Sequence, residues 1–445
     1  MKYLTLFLFM LHFNGVFAQD QRNVTLLDHW TDKTLPMGSE DAIYNDVWGF
    51  YQNGRQYCVI GSNMGTHFFE IVKNQLVELH FEPGAFQSPY VVHRDYKIYK
   101  NFLYGVCDEG TSSLQIFDLS YLPDSVHKVY DEPHFFQICH NIYIDTLQAK
   151  LYACGANNTG MQILNIANPT LPVLDYTFTE KTYVHDAYVR NDTAYLNCAF
   201  DGLHVYDFSD DTPKQLGILD FYPAQGYNHS GWLSPDGRTY AFIDETKGTR
   251  IKICRWTGDL STISIVGYCT SKGYQDYVPH NIILLDNLAF VSYYNLGLRI
   301  YDISRGPFKE IGHYDTFEQE TKYRLNGAWG VYVFPEKDQI LISDRQNGLY
   351  LFSFPIETLN SANQKTYVSS TPFINEKSIL VPRTHLGDKD LSFSVTTIDG
   401  KIIYDQANYK NFVNIPLDLA AGTYIYVILD EFNDLLESGK FVKAN

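Results

Sequence analysis

The chain has 445 residues, 45% of them hydrophobic and 16% aromatic, with 35 tyrosines. That much apolar material supplies a sizeable core and excludes a disordered chain. Lys and Arg number 34 against 51 Asp and Glu, a formal charge of −17, which repels phosphate backbones and anionic membranes and excludes nucleic acid as a partner class.

The first predicted element is a leader over residues 1–18. Lys2 supplies a positive start, residues 4–11 form a short apolar run, and Val16-Phe17-Ala18 places small residues before a cut, with Gln19 as the mature start. The run is too short to span a bilayer, so a signal peptide is expected, and with it a secreted or outer-membrane-surface protein.

From residue 45 onward a repeat of about 47 residues recurs. Its copies open at Asn45-Asp46, His93-Arg94-Asp95, His140-Asn141, His185-Asp186, His229-Ser230, His280-Asn281 and Trp329-Gly330. Each opening leads into an apolar strand, and a second strand follows, as in Leu151-Tyr152-Ala153-Cys154. A turn then ends in glycine, at Gly65, Gly110, Gly160, Gly202, Gly248, Gly297 and Gly348, where a reversal at positive φ suits that residue. A third strand such as Leu203-His204-Val205-Tyr206 and a fourth such as Val173-Leu174-Asp175-Tyr176 complete the unit. Four short antiparallel strands in a repeat of this length predict one blade of a β-propeller, and seven copies predict seven blades.

The seventh copy lacks a fourth strand. Leu26-Leu27-Asp28-His29-Trp30 resembles one, so the N-terminus is expected to pair with the strand near Leu349–Phe352 and close the ring, which removes two exposed edges. The propeller is assigned to residues 19–355, a polar linker to 356–372, and a small Ig-like β-sandwich with short alternating strands to 373–445. The seven cysteines, an odd number without tight spacing, read as small buried core residues rather than a disulfide framework.

Across these repeats the chain resembles the choice-of-anchor B family of LVIVD-repeat propellers. The matching residues are Tyr44-Asn45-Asp46-Val47-Trp48-Gly49, His93-Arg94-Asp95, His140-Asn141, His185-Asp186, Pro279-His280-Asn281, Trp329-Gly330-Val331 and Asp344 with Asn347-Gly348-Leu349. The C-terminal module resembles the type A sorting domain of the type IX secretion system of Bacteroidota. The resemblance rests on Asp399-Gly400-Lys401, Ile415-Pro416-Leu417 with Leu419, Gly422-Thr423-Tyr424 and Gly439-Lys440-Phe441-Val442-Lys443. The usual opening Tyr-Pro-Asn-Pro is absent, and Phe373-Ile374-Asn375-Glu376 stands near its place. This resemblance implies display at the cell surface, with the secretion machinery as a partner.

The repeat openings fall where innermost strands begin, so five histidines, His93, His140, His185, His229 and His280, are expected at one mouth of the axial channel. Asn45 and Trp329 take the other two places. With the neighbouring Asp46, Asp95, Asn141, Asp186 and Asn281, and with Asp344, they form the candidate ligand site. Neutral imidazoles oriented by carboxylates bind divalent metals, and the same groups hydrogen-bond a polar ligand in a funnel. A polar residue at a fixed place also ties strands together inside a blade, so structure, ligand and metal all remain open. No cofactor is required by any motif, although a divalent metal is compatible, and opposite blades are too far apart to share one ion.

Asp108-Glu109, Asp201, Asp244-Glu245 and Asp344 precede third strands and read as surface-turn residues. Trp48, Tyr96, Tyr143, Tyr188, Trp232 and Tyr332 read as blade packing, with those at the mouth placed to stack on sugars. There is no nucleophile elbow, zinc-protease helix or phosphate loop. The sequence therefore favours a monomeric, non-enzymatic binding or adhesion scaffold for a polar small molecule, glycan or surface protein. The alternative is a secreted hydrolase or lyase that uses the His and Asp residues of the mouth.

Overall fold

The computed structural model describes residues 20–38, 41–210, 212–317 and 325–356, together with short segments between 373 and 443. The expected leader at 1–18 and the expected linker beyond its first residue lie outside the described residues.

The described residues between 20 and 356 hold seven antiparallel sheets of four strands, one of them extended by a fifth. Each is a meander. The first runs through Tyr44–Gln52, Arg55–Ser62, Gly65–Val72 and Gln75–Pro83. The third runs through Asn141–Asp145, Lys150–Cys154, Met161–Asn165 and Val173–Phe178. First strands of successive sheets pack side by side, and Ala328–Phe334 of the last packs against Tyr44–Gln52 of the first. This is a β-propeller.

Burial grades outward from the axis. Second strands such as Gln339–Asp344 are buried throughout, because each sheet lies between two others and needs apolar residues on both faces. Fourth strands such as Val173–Phe178 are mostly exposed. The core therefore sits between sheets. Leu288 and Phe290 of the sixth, for example, pack with Val331, Ile340 and Phe352 of the seventh. All seven cysteines are buried and free, as their apolar settings predict.

The N-terminal strand Thr25–Trp30 pairs antiparallel with Gly348–Ser353, with Leu26 opposite Phe352 and Trp30 opposite Leu349. Its register slips by one residue at Leu27. The fourth strands of the other six sheets carry a similar bulge against their third strands, so this segment fills a fourth-strand place in geometry as well as in sequence. Gln21–Arg22 also adds an edge to the sixth sheet by pairing with His313 and Tyr314, which the sequence did not signal.

The glycine rule needs one correction. Gly202 and Gly348 are among the turn glycines with positive φ, whereas Gly65 and Gly160 are not. At Gly160 a β-carbon would fall 2.4 Å from the Phe178 carbonyl oxygen, and at Gly65 one would fall 2.2 Å from that of Glu82. There the requirement is the close passage of the fourth strand's backbone.

In the C-terminal part, Phe373–Ile374, Ser378–Pro382 and Phe412–Pro416 form one sheet. Ser392–Thr397, Ile402–Gln406, Gly422–Leu429 and Leu435–Lys443 form another. Phe393, Val395, Tyr424 and Tyr426 are buried.

Candidate functional site

Three layers of side chains surround the propeller axis, each set by its position along the first strands. The first layer comes from the residues just before or within the strand starts, and there the five histidines meet. Ring centroids lie 5.0 Å apart for His93–His140, 4.2 Å for His140–His185, 4.2 Å for His185–His229 and 4.4 Å for His229–His280. Trp329 completes the circuit, 4.2 Å from His280 and 5.2 Å from His93. In the strands carrying His229 and Trp329, a bulge falls at that residue, and a bulge re-aims the side chain it contains.

Asn45, expected in this circuit, does not join it. It is buried and turned toward its own sheet, where a β-carbon on Gly61 would fall 1.9 Å from its Oδ1. Neither atom of its amide has a hydrogen-bond partner. The wide indole of Trp329 reaches past that place to His93. Asp344 also stands apart, since it accepts from Thr316 Oγ1 at 2.7 Å and from the backbone N–H groups of Gln346 and Asn347. Burial pushes its carboxyl up to about 6 despite those bonds, and its oxygens organise a turn.

The imidazoles are held by their Nδ1 atoms. His185 Nδ1 donates to the His229 carbonyl at 2.9 Å, and His280 Nδ1 donates to the Trp329 carbonyl at 2.7 Å. His140 Nδ1 meets Asp108 Oδ2 at 2.7 Å, and His93 Nδ1 meets Glu109 Oε1 at 2.5 Å. His229 Nδ1 faces the His280 backbone without reaching hydrogen-bond geometry. A carbonyl can only accept, so Nδ1 carries the proton in His185 and His280, and Nε2 is left with its lone pair. Burial, together with neighbouring histidines, pulls His185 and His280 well below the usual imidazole value, and burial brings His229 down to about 4. Burial also works to lower His140, but Asp108 outweighs it and the pKa lies above its ordinary value.

Several acidic residues read as surface turns belong here instead. Asp108 and Glu109 orient His140 and His93. Glu245 lies with Oε2 3.9 Å from His229 Nε2, while its Oε1 accepts from the Tyr294 hydroxyl at 2.5 Å. Asp244 is fully buried against Lys252 at 2.6 Å. The turns that carry Asp108, Glu109 and Glu245 fold back to the imidazoles, and a position in the repeat says nothing of that return.

The second layer is a cavity of about 40 Å³, bordered by Asp46, Asp95, Asn141, Asp186, Ser230 and Asn281 with Lys97, a volume that holds one or a few waters. Lys97 Nζ lies 2.9 Å from Asp95 Oδ1 and 4.3 Å from the Trp48 ring centroid. Burial and then repulsion from Asp95 push Asp46 far above the carboxylate range, and burial lifts Asp186 to about 7. Burial alone would lower Lys97, yet Asp95 and Asp46 raise it.

Lys97 was not anticipated, and its cause is a single residue. The second repeat reads His93-Arg94-Asp95, one residue longer than His185-Asp186. Asp95 and Lys97 therefore take the axial positions, and Tyr96 turns into the blade, where it hydrogen-bonds Thr66 at 2.9 Å. A one-residue slip exchanges the two faces of a strand.

The third layer is aromatic. Trp48 lies 5.0 Å from Tyr332 and 6.4 Å from Trp232, and Tyr188 lies 5.0 Å from both Tyr143 and Trp232. An open hollow of about 270 Å³ borders this end, with Lys97 and Arg190 on its wall.

The fold and this axial column define a propeller with a polar, ring-lined centre. No family model and no curated protein matches the chain. Among solved structures it is similar to "Structure of U3-55K", with a TM-score of 0.53 at 10% identity, covering 75% of this chain and 98% of that one. It is also similar to "Crystal structure of RRP9 WD40 repeats", with a TM-score of 0.53 at 10% identity over 76% of this chain and 99% of that one. A third is the β-propeller domain of Cps50 (Swd1) from Myceliophteria thermophila, with a TM-score of 0.52 at 11% identity over 70% and 96% of the two chains. These likenesses establish the β-propeller fold.

Proposed function

We propose that the chain is an exported, seven-bladed β-propeller that serves as a binding scaffold and takes a polar ligand on its axis. The observation that carries this reading is the axial column itself. Imidazoles with unpaired Nε2 atoms stand over a charged cavity that opens toward an aromatic hollow. Aromatic faces beside hydrogen-bonding and charged groups suit a glycan. The first 18 residues read as the leader, residues 19–355 as the propeller and residues 373–445 as an Ig-like sorting module of the type IX kind, displayed on a surface. The likeness to choice-of-anchor B propellers supports this organisation.

The test is a glycan array probed with the purified chain and with Trp232→Ala. Retention of a defined glycan class by the wild type, weakened about tenfold or more in Trp232→Ala, is the expected result. Binding that is unchanged in Trp232→Ala would remove the aromatic end from the proposal.

One arrangement favours the hydrolase or lyase reading. The His140–Asp108 pair, 2.7 Å apart, has the geometry of a base held by an orienting carboxylate. Cys107 and Cys139 flank this pair in the chain, but burial pushes both thiols up, which makes them poor nucleophiles.

A further inference from the structure

We propose that His229, His280 and Glu245 form a binding site for one divalent transition-metal ion of the zinc type. The ligand atoms these three residues offer all lie within 4.8 Å of one another. They come from two adjacent first strands and from the turn after Thr239–Asp244, so the site is assembled by the ring.

Two of the three donors already have the support that metal ligands need. His280 gives Nδ1 to the Trp329 carbonyl, which leaves Nε2 as its donor. The Glu245 carboxylate is held through Oε1 by the Tyr294 hydroxyl, and its backbone N–H bonds the Tyr227 carbonyl at 2.8 Å. Oε2 is thereby left facing His229 Nε2. Their 3.9 Å gap is too long for a hydrogen bond. An ion with bonds of about 2 Å to each would draw them to roughly 3.3 Å. His229 directs Nδ1 toward the His280 backbone, so Nε2 is the nitrogen it turns to Glu245.

Two imidazoles and one carboxylate select a borderline ion over calcium or magnesium, which prefer all-oxygen shells. Three protein ligands leave a fourth position for water or a ligand group. The inference does not depend on the glycan reading, since Glu245 lies outside the aromatic layer.

The experiment is calorimetric titration of the untagged full chain with zinc chloride, paired with visible spectra of the cobalt(II) form. One ion per chain and the d–d bands of a low-coordinate nitrogen/oxygen site are expected. Glu245→Gln keeps the size of the side chain and should weaken binding by about tenfold or more, and His280→Asn should do the same. His127→Asn, on an exposed outer strand, should leave the affinity within about twofold. Circular dichroism and melting without metal identify any variant that fails to fold, and Glu245→Gln is then read alone. Absence of one-to-one binding by the wild type, equal affinity in Glu245→Gln, or an equal loss in His127→Asn would each overturn the assignment.

Discussion

At the scale of single residues, the least expected feature is a buried ion pair beside the candidate site. Lys252 Nζ lies 2.6 Å from Asp244 Oδ2, and neither side chain is exposed. Burial lowers the Lys252 ammonium, and Asp244 opposes that effect. Asp244 also accepts from the Tyr222 hydroxyl and the Gly226 N–H, each at 2.8 Å. Replacing Lys252 by Met leaves a buried carboxylate without its cation, which costs about 3–5 kcal/mol. Urea unfolding of Lys252→Met should show that loss, and Asp244→Asn/Lys252→Met should recover part of it. A lone Lys252→Met as stable as the wild type would mean that the pair does not hold this turn. Read along the chain, Asp244 and Lys252 are ordinary polar residues of a hairpin. Their pairing depends on which strand face turns inward.

At the scale of elements, ring closure is the feature most readable in advance. The apolar pattern of Leu26 to Trp30 matches the other fourth strands, and its pairing with Gly348–Ser353 repeats their bulge. Removing residues 20–30 exposes the full edge of Gly348–Ser353 and uncovers Tyr350, against which His29 stacks at 4.1 Å. The truncated chain should melt at lower temperature and self-associate in light scattering, because an open strand edge templates pairing. A monomer with unchanged melting would show that the edge needs no cover. In the second first strand the blade packing of Tyr96 was readable, whereas the axial place of Lys97 was not. One extra residue at Arg94 turned Tyr96 inward and placed Lys97 on the axis. The guanidinium of Arg94 is spent on the Ser62 and Phe86 carbonyls, at 2.8 and 2.6 Å, and a motif aligned on its histidine gives no warning of this.

At the scale of the whole molecule, the propeller and the C-terminal strands raise a question of delivery. Deleting residues 373–445 should leave the propeller inside the cell envelope, as fractionation and immunoblotting of culture medium would record. Normal release of the truncated protein would refute the sorting role. The sequence by itself determined the β-propeller, the unit of about 47 residues, the burial of the cysteines and the gathering of five histidines at one level. Those properties follow from local periodicity and from repetition, which copy each position to the same radius. Only the tertiary structure decided which groups complete the axis. Trp329 spans the place of Asn45, Lys97 enters through a shift of register, and Asp108, Glu109 and Glu245 return from turns to meet the imidazoles. Each of these contacts joins residues from different sheets, and its distance depends on ring closure and strand register, which no single repeat contains.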